Sequence, residues 1–379
     1  MPWPEHPSKR FALPMAPLNS VPMTNLSDDP YLALLGPLPA GETVAFRLRF
    51  ALNAAVLAPS IHNTQPWRFR IYDGPAPHVD LLMDAGRGLV SLDPNHRQQV
   101  ISCGAALAAY EVGLRGCGLA ARIEPFPTDG DPATVARIHL TERPGPDLQA
   151  RELWSALRER RSYRGPMTEA PIELWLRHRL TRLAAPGSLL HFVPSAQWRT
   201  VERLIAAANL ELDQSVTIHD EIRNWTRETE RTRDGVPAAN WQRTSEQSAG
   251  APVVQRDFAE GRDLAGSTPT VGVEPGPTLA VLMSRGDTQL DWMKAGHSLL
   301  TVALAVQTEK AALGYVDQPV EIPKIRDELA AELQPISAAY RVPQLVLRLG
   351  YPADTMPPAA PRRPVQNVLL PRTEQRFGC

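Results

Sequence analysis

The stretch from Leu57 to Ile71 reads LAPSIHNTQPWRFRI and joins three local signals. An apolar helix end runs into Pro59, a set of short polar side chains comes next, and from Trp67 apolar and basic residues alternate as on a half-buried strand. Pro59 and Pro66 stiffen the turn between them. Further along, Arg160 to Pro166 reads RRSYRGP, with three arginines around a small hydroxyl. Guanidinium forks beside a hydroxyl suit a phosphate dianion.

Outward from the turn, the spacing predicts a helix over 42–57, strands at 67–72 and 79–84, a long helix from about His96 to Gly116, and a strand at 135–140. Residues 141–150 read as a connector. Beyond it come helices at 151–160 and 171–183, a strand at 189–193, a helix at 196–214 and a polar stretch over 215–277. The chain closes on strand 278–284, a helix over about 288–313 and strand 344–351. This ending echoes the first series. LLMD precedes a helix ending GCGLA, VLMS precedes one ending LGYV, and Gly118 and Gly314 stand as helix-stop glycines. The period is too long for a solenoid, so the echo predicts an internal duplication. LLTVALAV (299–306) leaves no polar stripe, and Ile101–Leu114 resembles it in this respect. Both helices are expected at the centre, forming the seam of a pseudo-dimer.

The chain has 379 residues, an ordinary apolar fraction of 43% and a net charge of −1. That charge argues against a nucleic-acid or acidic-membrane partner. Cys103, Cys117 and Cys379 form no CxxC; the first two sit on one helix, about 21 Å apart at 1.5 Å per residue, too far to bridge. A reducing cytoplasm is therefore expected. The proline-rich first 40 residues read as an extended arm without a signal peptide, and no apolar run is long enough to span a membrane. GLRGCG (113–118) has the wrong glycine spacing for a dinucleotide fingerprint. No HExxH, P-loop or GxSxG occurs, so metal and hydrolase chemistry lack support.

The two strings together suit flavin mononucleotide (FMN). Arg160, Ser162 and Arg164 match its phosphate, and the polar turn with Pro59, Ser60, Asn63 and Gln65 matches the donors and acceptors that its ring edge needs. RRSYRGPMTEAPIELWLRHRL resembles the phosphate motif and first helix of the nitroreductase-like flavoproteins, and APSIHNTQPWRF resembles their flavin-contacting turn. VPQLVLRLGYPADTMPPAAPRRPVQNVLL resembles their last strand and tail. The order is most similar to the Acg-type subgroup, in which two such halves are fused, and the resemblance covers about residues 42–370.

The resemblance implies an α+β, nitroreductase-like fold: a tandem pseudo-dimer with two mixed or antiparallel sheets around buried central helices. Residues 1–40 would be the arm, 41–145 the first half with the QPW turn, and 146–379 the second half with RRSxR, a lid at about 215–277 and the tail. Each half keeps a different part of the site, so one FMN per chain is expected, in a monomeric pseudo-dimer. The resemblance also places Gln318, Pro319 and Val320 opposite the reactive flavin nitrogen, and brings Arg362 or Arg363 to the phosphate.

The leading functional expectation is an FMN-dependent oxidoreductase acting on a small organic substrate, with NAD(P)H as a possible reductant. The alternative is FMN storage under a lid, which NWTRETERTRDGVPAANWQRTSEQ (224–247) resembles. A flavin-free scaffold is the third reading.

Overall fold

After a single helical turn at Pro30–Ala33, Thr43 starts helix Val44–Ala55 by accepting the Phe46 amide at 3.2 Å. From Phe50 to Ala58 this helix and its exit are entirely buried, and the chain turns at Pro59 into strand Trp67–Tyr72. That strand pairs with His78–Met83, which pairs with Thr134–Thr141, with Ala120–Pro125 on the outer edge. The computed structural model describes residues 30–33, 42–141, 148–184, 187–227, 233–240, 253–254, 272–273, 278–333 and 339–371. The second four-stranded sheet runs Ser188–Phe192, Thr278–Ser284, Val342–Gly350, Ala312–Tyr315. Every pairing within the two sheets is antiparallel. The strand order is the same in both, and in both a 20-residue helix stands between the second and third strands in sequence. The connections differ most between the first two strands, joined by residues 73–77 in one sheet and by residues 193–277 in the other, and again between the last two, where residues 126–133 of one sheet answer to residues 316–341 of the other, with helix Pro323–Leu333.

The sheets are buried differently. Leu279, Val281, Met283 and Val346 pack beneath helices Ser195–Asp213 and Pro323–Leu333, while Ala280, Leu282, Leu345 and Leu347 pack against the central helix Gln289–Thr308. With both faces covered, TLAVLMS is buried throughout. The first sheet has one well-covered face, so Trp67 and Phe69 are buried while Arg68 and Arg70 are not.

The central helices Arg97–Gly116 and Gln289–Thr308 touch backbone to backbone. A Cβ on Gly104 would lie less than 3.0 Å from the Met293 carbonyl, and one on Gly296 less than 3.0 Å from that of Ile101. Each glycine is the eighth residue of its helix, and each contacted residue is the fifth. The contact is therefore isologous, as across a two-fold axis. His297 Nε2 and Glu111 Oε2, 2.7 Å apart, join the helices further along.

Several boundaries move. The second central helix ends at Thr308, not 313, because Lys310 turns left-handed (φ 58°) and releases the chain into strand Ala312–Tyr315. Gly314 is thus a strand residue rather than a helix stop, whereas Gly118 keeps that role with φ 70°. Helix 171–183 begins only at Leu174. The polar stretch contains helix Val216–Asn224; most of 241–277 lies outside the described residues. Helix Leu148–Glu159 begins earlier than the connector reading allowed, and although its place in the sequence groups it with the second half, it packs on the first core. Trp154 Nε1 donates to Val112 O at 2.9 Å and its ring stacks on Phe50 at 5.8 Å. Val365, Val368 and Leu369 of the tail enter the same core. Among the described residues, no helix is long and apolar enough to cross a membrane.

Candidate functional site

A cavity lies where the turn after Pro59, the central helices and the second sheet meet, with about 1190 Å³ of atom-free space, its open mouth included. The turn at 59–63 forms one wall and the loop at 160–164 another; Gln98, Ile101 and Ser102 come from the first central helix and Leu299 from the second.

One end is strongly basic. Arg160, Arg161, Arg164 and Arg362 all line it. Arg160 and Arg362 are buried, and the Nε atoms of Arg160, Arg161 and Arg362 have no hydrogen-bond partner. Among the described residues, none of these three forms an ion pair with a carboxylate. Burial pulls the Arg160 guanidinium down to about 10, partly offset by Tyr315, with like-charged Arg362 pushing the same way as burial. Burial also lowers Arg161, and Arg362 again contributes. Clustered cations with unsatisfied donors favour a multivalent oxyanion, which would relieve both the repulsion and the missing bonds. Tyr31 packs on Arg161, ring centre 5.8 Å from the guanidinium carbon, and its hydroxyl donates to Ala360 O at 3.0 Å.

The turn has a strained backbone without glycine. His62, Asn63 and Gln65 take φ of 43°, 55° and 51°. Such conformations cost about 1–3 kcal/mol each and persist where surrounding bonds fix them. Ser60 Oγ accepts the Gln65 amide at 3.0 Å, and Ser102 Oγ accepts that of Ile61 at 3.2 Å. Asn63 Oδ1 accepts from Arg362 at 2.9 Å, while its Nδ2 donates to Gly235 O at 2.9 Å. Gln65 Nε2 donates to Arg233 O at 2.6 Å and its Oε1 accepts the Arg363 amide at 2.8 Å. Arg87 forms an ion pair with Asp234. The turn therefore latches two other segments, 233–237 and the tail. Val236, Pro237 and Asn240 come to line the cavity.

Of the residues singled out from sequence, Pro59, Ser60, Asn63, Arg160, Ser162, Arg164, Gln318 and Arg362 converge on this cavity. Gln65, Pro319, Val320 and Arg363 are not among its lining. Gln65 is wholly buried in the latch. The Val320 carbonyl accepts from Arg97 at 2.9 Å, and the Arg363 side chain turns to Asn367 O. Between the two arginines the expectation had left open, Arg362 faces the cavity. Sequence reasoning missed Tyr31, Gln98, Ser102, Tyr315, Asp317 and Glu321. Gln98 and Ser102, one turn apart at the start of an otherwise apolar helix, were a usable signal. Tyr315 was hidden by the overlong helix.

The chain that carries this turn-and-arginine cavity on two antiparallel sheets and a central helix pair belongs to the nitroreductase family. Rv3131 of Mycobacterium tuberculosis, whose name places it among NAD(P)H nitroreductases, is 32% identical over 346 residues, 90% of this chain and 95% of its own length. The Acg protein of the same organism, similarly named, is 28% identical over 342 residues, covering 86% of this chain and 96% of that one. A solved structure from Anabaena variabilis assigned as a nitroreductase covers 89% of this chain and 94% of its own at 11% identity, with a TM-score of 0.44. No family model matches the sequence.

Proposed function

We propose that the chain is an FMN-binding oxidoreductase of the nitroreductase type, moving a hydride or electron pair to or from a small organic substrate. One observation carries the reading: three arginine Nε donors without partners converge with Ser162 on one cavity. Arg160, Ser162, Arg164 and Arg362 would hold the phosphate end. Ser60, Asn63 and Gln318 would line the ring end. Bound there, the flavin supplies the two-electron chemistry. The chain's own residues bind it, orient it and screen it from water. NAD(P)H as reductant is supported by the names of the relatives. The buried, unbridged Cys103 and Cys117 support a cytoplasmic setting. The deciding measurement is the visible spectrum of the purified protein before and after anaerobic NADH or NADPH. Flavin absorption that bleaches supports the proposal. A colourless protein that FMN cannot reconstitute overturns it.

We also read the two sheets as the halves of a pseudo-dimer, dividing between residues 141 and 148, with one FMN per chain. The identical strand order and the reciprocal glycine contact support this. Extracted flavin measured against amino-acid analysis should give one equivalent per chain; two equivalents would overturn it.

The latch over the cavity favours a second reading, in which the flavin is sequestered and NAD(P)H turnover is low. The segment around 234–240 would then be a lid, part of the one expected at 215–277. Gln65→Ala strands the Arg233 carbonyl and the Arg363 amide, loosening the latch by about 1–3 kcal/mol. Flavin reduction by dithionite should then accelerate severalfold. Unchanged kinetics would mean that this segment does not gate access.

A further inference from the structure

Arg348, on strand Val342–Gly350, is fully buried, yet among the described residues no carboxylate pairs with it. Its Nη2 donates instead to two backbone carbonyls, Gly165 and, at 3.4 Å, Tyr163. Its guanidinium carbon stands 5.8 Å from the centre of the Tyr163 ring. Both carbonyls belong to the RRSYRGP loop, whose Arg160, Ser162 and Arg164 face the cavity. The loop is pinned at further points. The Tyr163 amide donates to Leu313 O at 2.9 Å, and the Tyr163 hydroxyl donates to Pro166 O at 2.7 Å while accepting the Asp354 amide at 3.3 Å. Gly314 keeps the space open, since a Cβ there would come within 3.0 Å of both Tyr163 O and Arg348 Nε.

A buried cation is unfavourable unless compensated, and a carboxylate is its usual partner. A carboxylate at this position would also cancel positive field behind the anion site. The two carbonyls satisfy Nη2 without cancelling the charge, and Nε is left without a partner. Burial draws the Arg348 guanidinium down to about 10, with Tyr163 opposing and like-charged Arg164 reinforcing the shift, so it stays protonated at neutral pH.

We propose that Arg348 is a positioning residue for the anion site: it holds the carbonyl side of the RRSYRGP loop so that Arg160, Ser162 and Arg164 converge on a phosphate, and its uncompensated charge strengthens the field there. This rests on the FMN reading above and adds a residue that touches no ligand.

The test compares wild type, Arg348→Met and Arg348→Lys. Each, stripped of flavin, is titrated with FMN and with riboflavin, which lacks the phosphate. Met keeps the bulk without charge or donors, while Lys keeps the charge without the planar fork. Loss of charge-assisted positioning should weaken FMN binding at least about tenfold in the Met variant and less in the Lys variant. Riboflavin binding should change less, so the preference for FMN shrinks. Equal losses for both ligands would make Arg348 a general packing residue, and unchanged FMN affinity would remove it from the site; either result overturns the proposal. If the Met variant fails to fold, the same ratio in the Lys variant decides. A wild-type chain with no preference for FMN over riboflavin would overturn the FMN reading itself, and the role of Arg348 with it.

Discussion

Arg160→Ala is expected to weaken FMN binding about ten- to a hundredfold, from the loss of a charge-assisted contact of about 1.5–3 kcal/mol. Arg160 is buried, and its only described side-chain bond is a long one, 3.5 Å to Leu57 O. Removing it therefore relieves repulsion within the cluster, and the protein should fold at least as well without ligand. That opposite movement, weaker binding with an unimpaired melt, separates a binding role from a structural one. Exposed Arg151→Ala is the control. Titration of both variants checks the claim; equal FMN affinity in the two would move the phosphate site elsewhere.

Gly296→Ala is expected to destabilise the whole protein by about 3 kcal/mol, lowering the melting temperature by roughly 4 °C. The methyl group meets the Ile101 backbone, not a side chain that could swing aside. The helices must separate, and the gain in helix propensity of about 1 kcal/mol does not offset this. Because the contact is reciprocal, Gly104→Ala should have a similar effect against Met293. The double variant should fall short of the sum, since one separation relieves both clashes. Calorimetry of the three variants tests this; two unequal single effects would show that the helix pair lacks the expected symmetry.

Much of the fold was legible because its signals were local. The wholly apolar helix at 299–306 and the runs TLAVLMS and QLVLRLGY could only be interior elements. Edge strand Ala120–Pro125 was not legible, because AARIEP has one β-branched residue and no clean alternation. Strand Ala312–Tyr315 was absorbed into the preceding helix because alanine, leucine and tyrosine continue that pattern, and the left-handed turn at Lys310 carries no glycine. In the candidate site, charge density at 160–164 and polar density at 60–65 marked two segments that line one cavity. They did not separate residues that face the cavity from Gln65, which faces the latch, since alternate sides of a tight turn look alike in composition. Arg348 was unreadable for a related reason. An arginine in an apolar strand is legible only once the carbonyls it serves, nearly two hundred residues away, are in view.

The unequal connections between the first two strands of each sheet bear on how such a site can change. In a symmetric assembly of identical chains, any elaboration appears twice, over both clefts. Here residues 193–277 are present once, while residues 73–77 remain a short turn in the corresponding place. On the pseudo-dimer reading, covalent tethering has released the two sides from having to be copies. A long insertion between two strands on one side then has no second copy to be accommodated on the other.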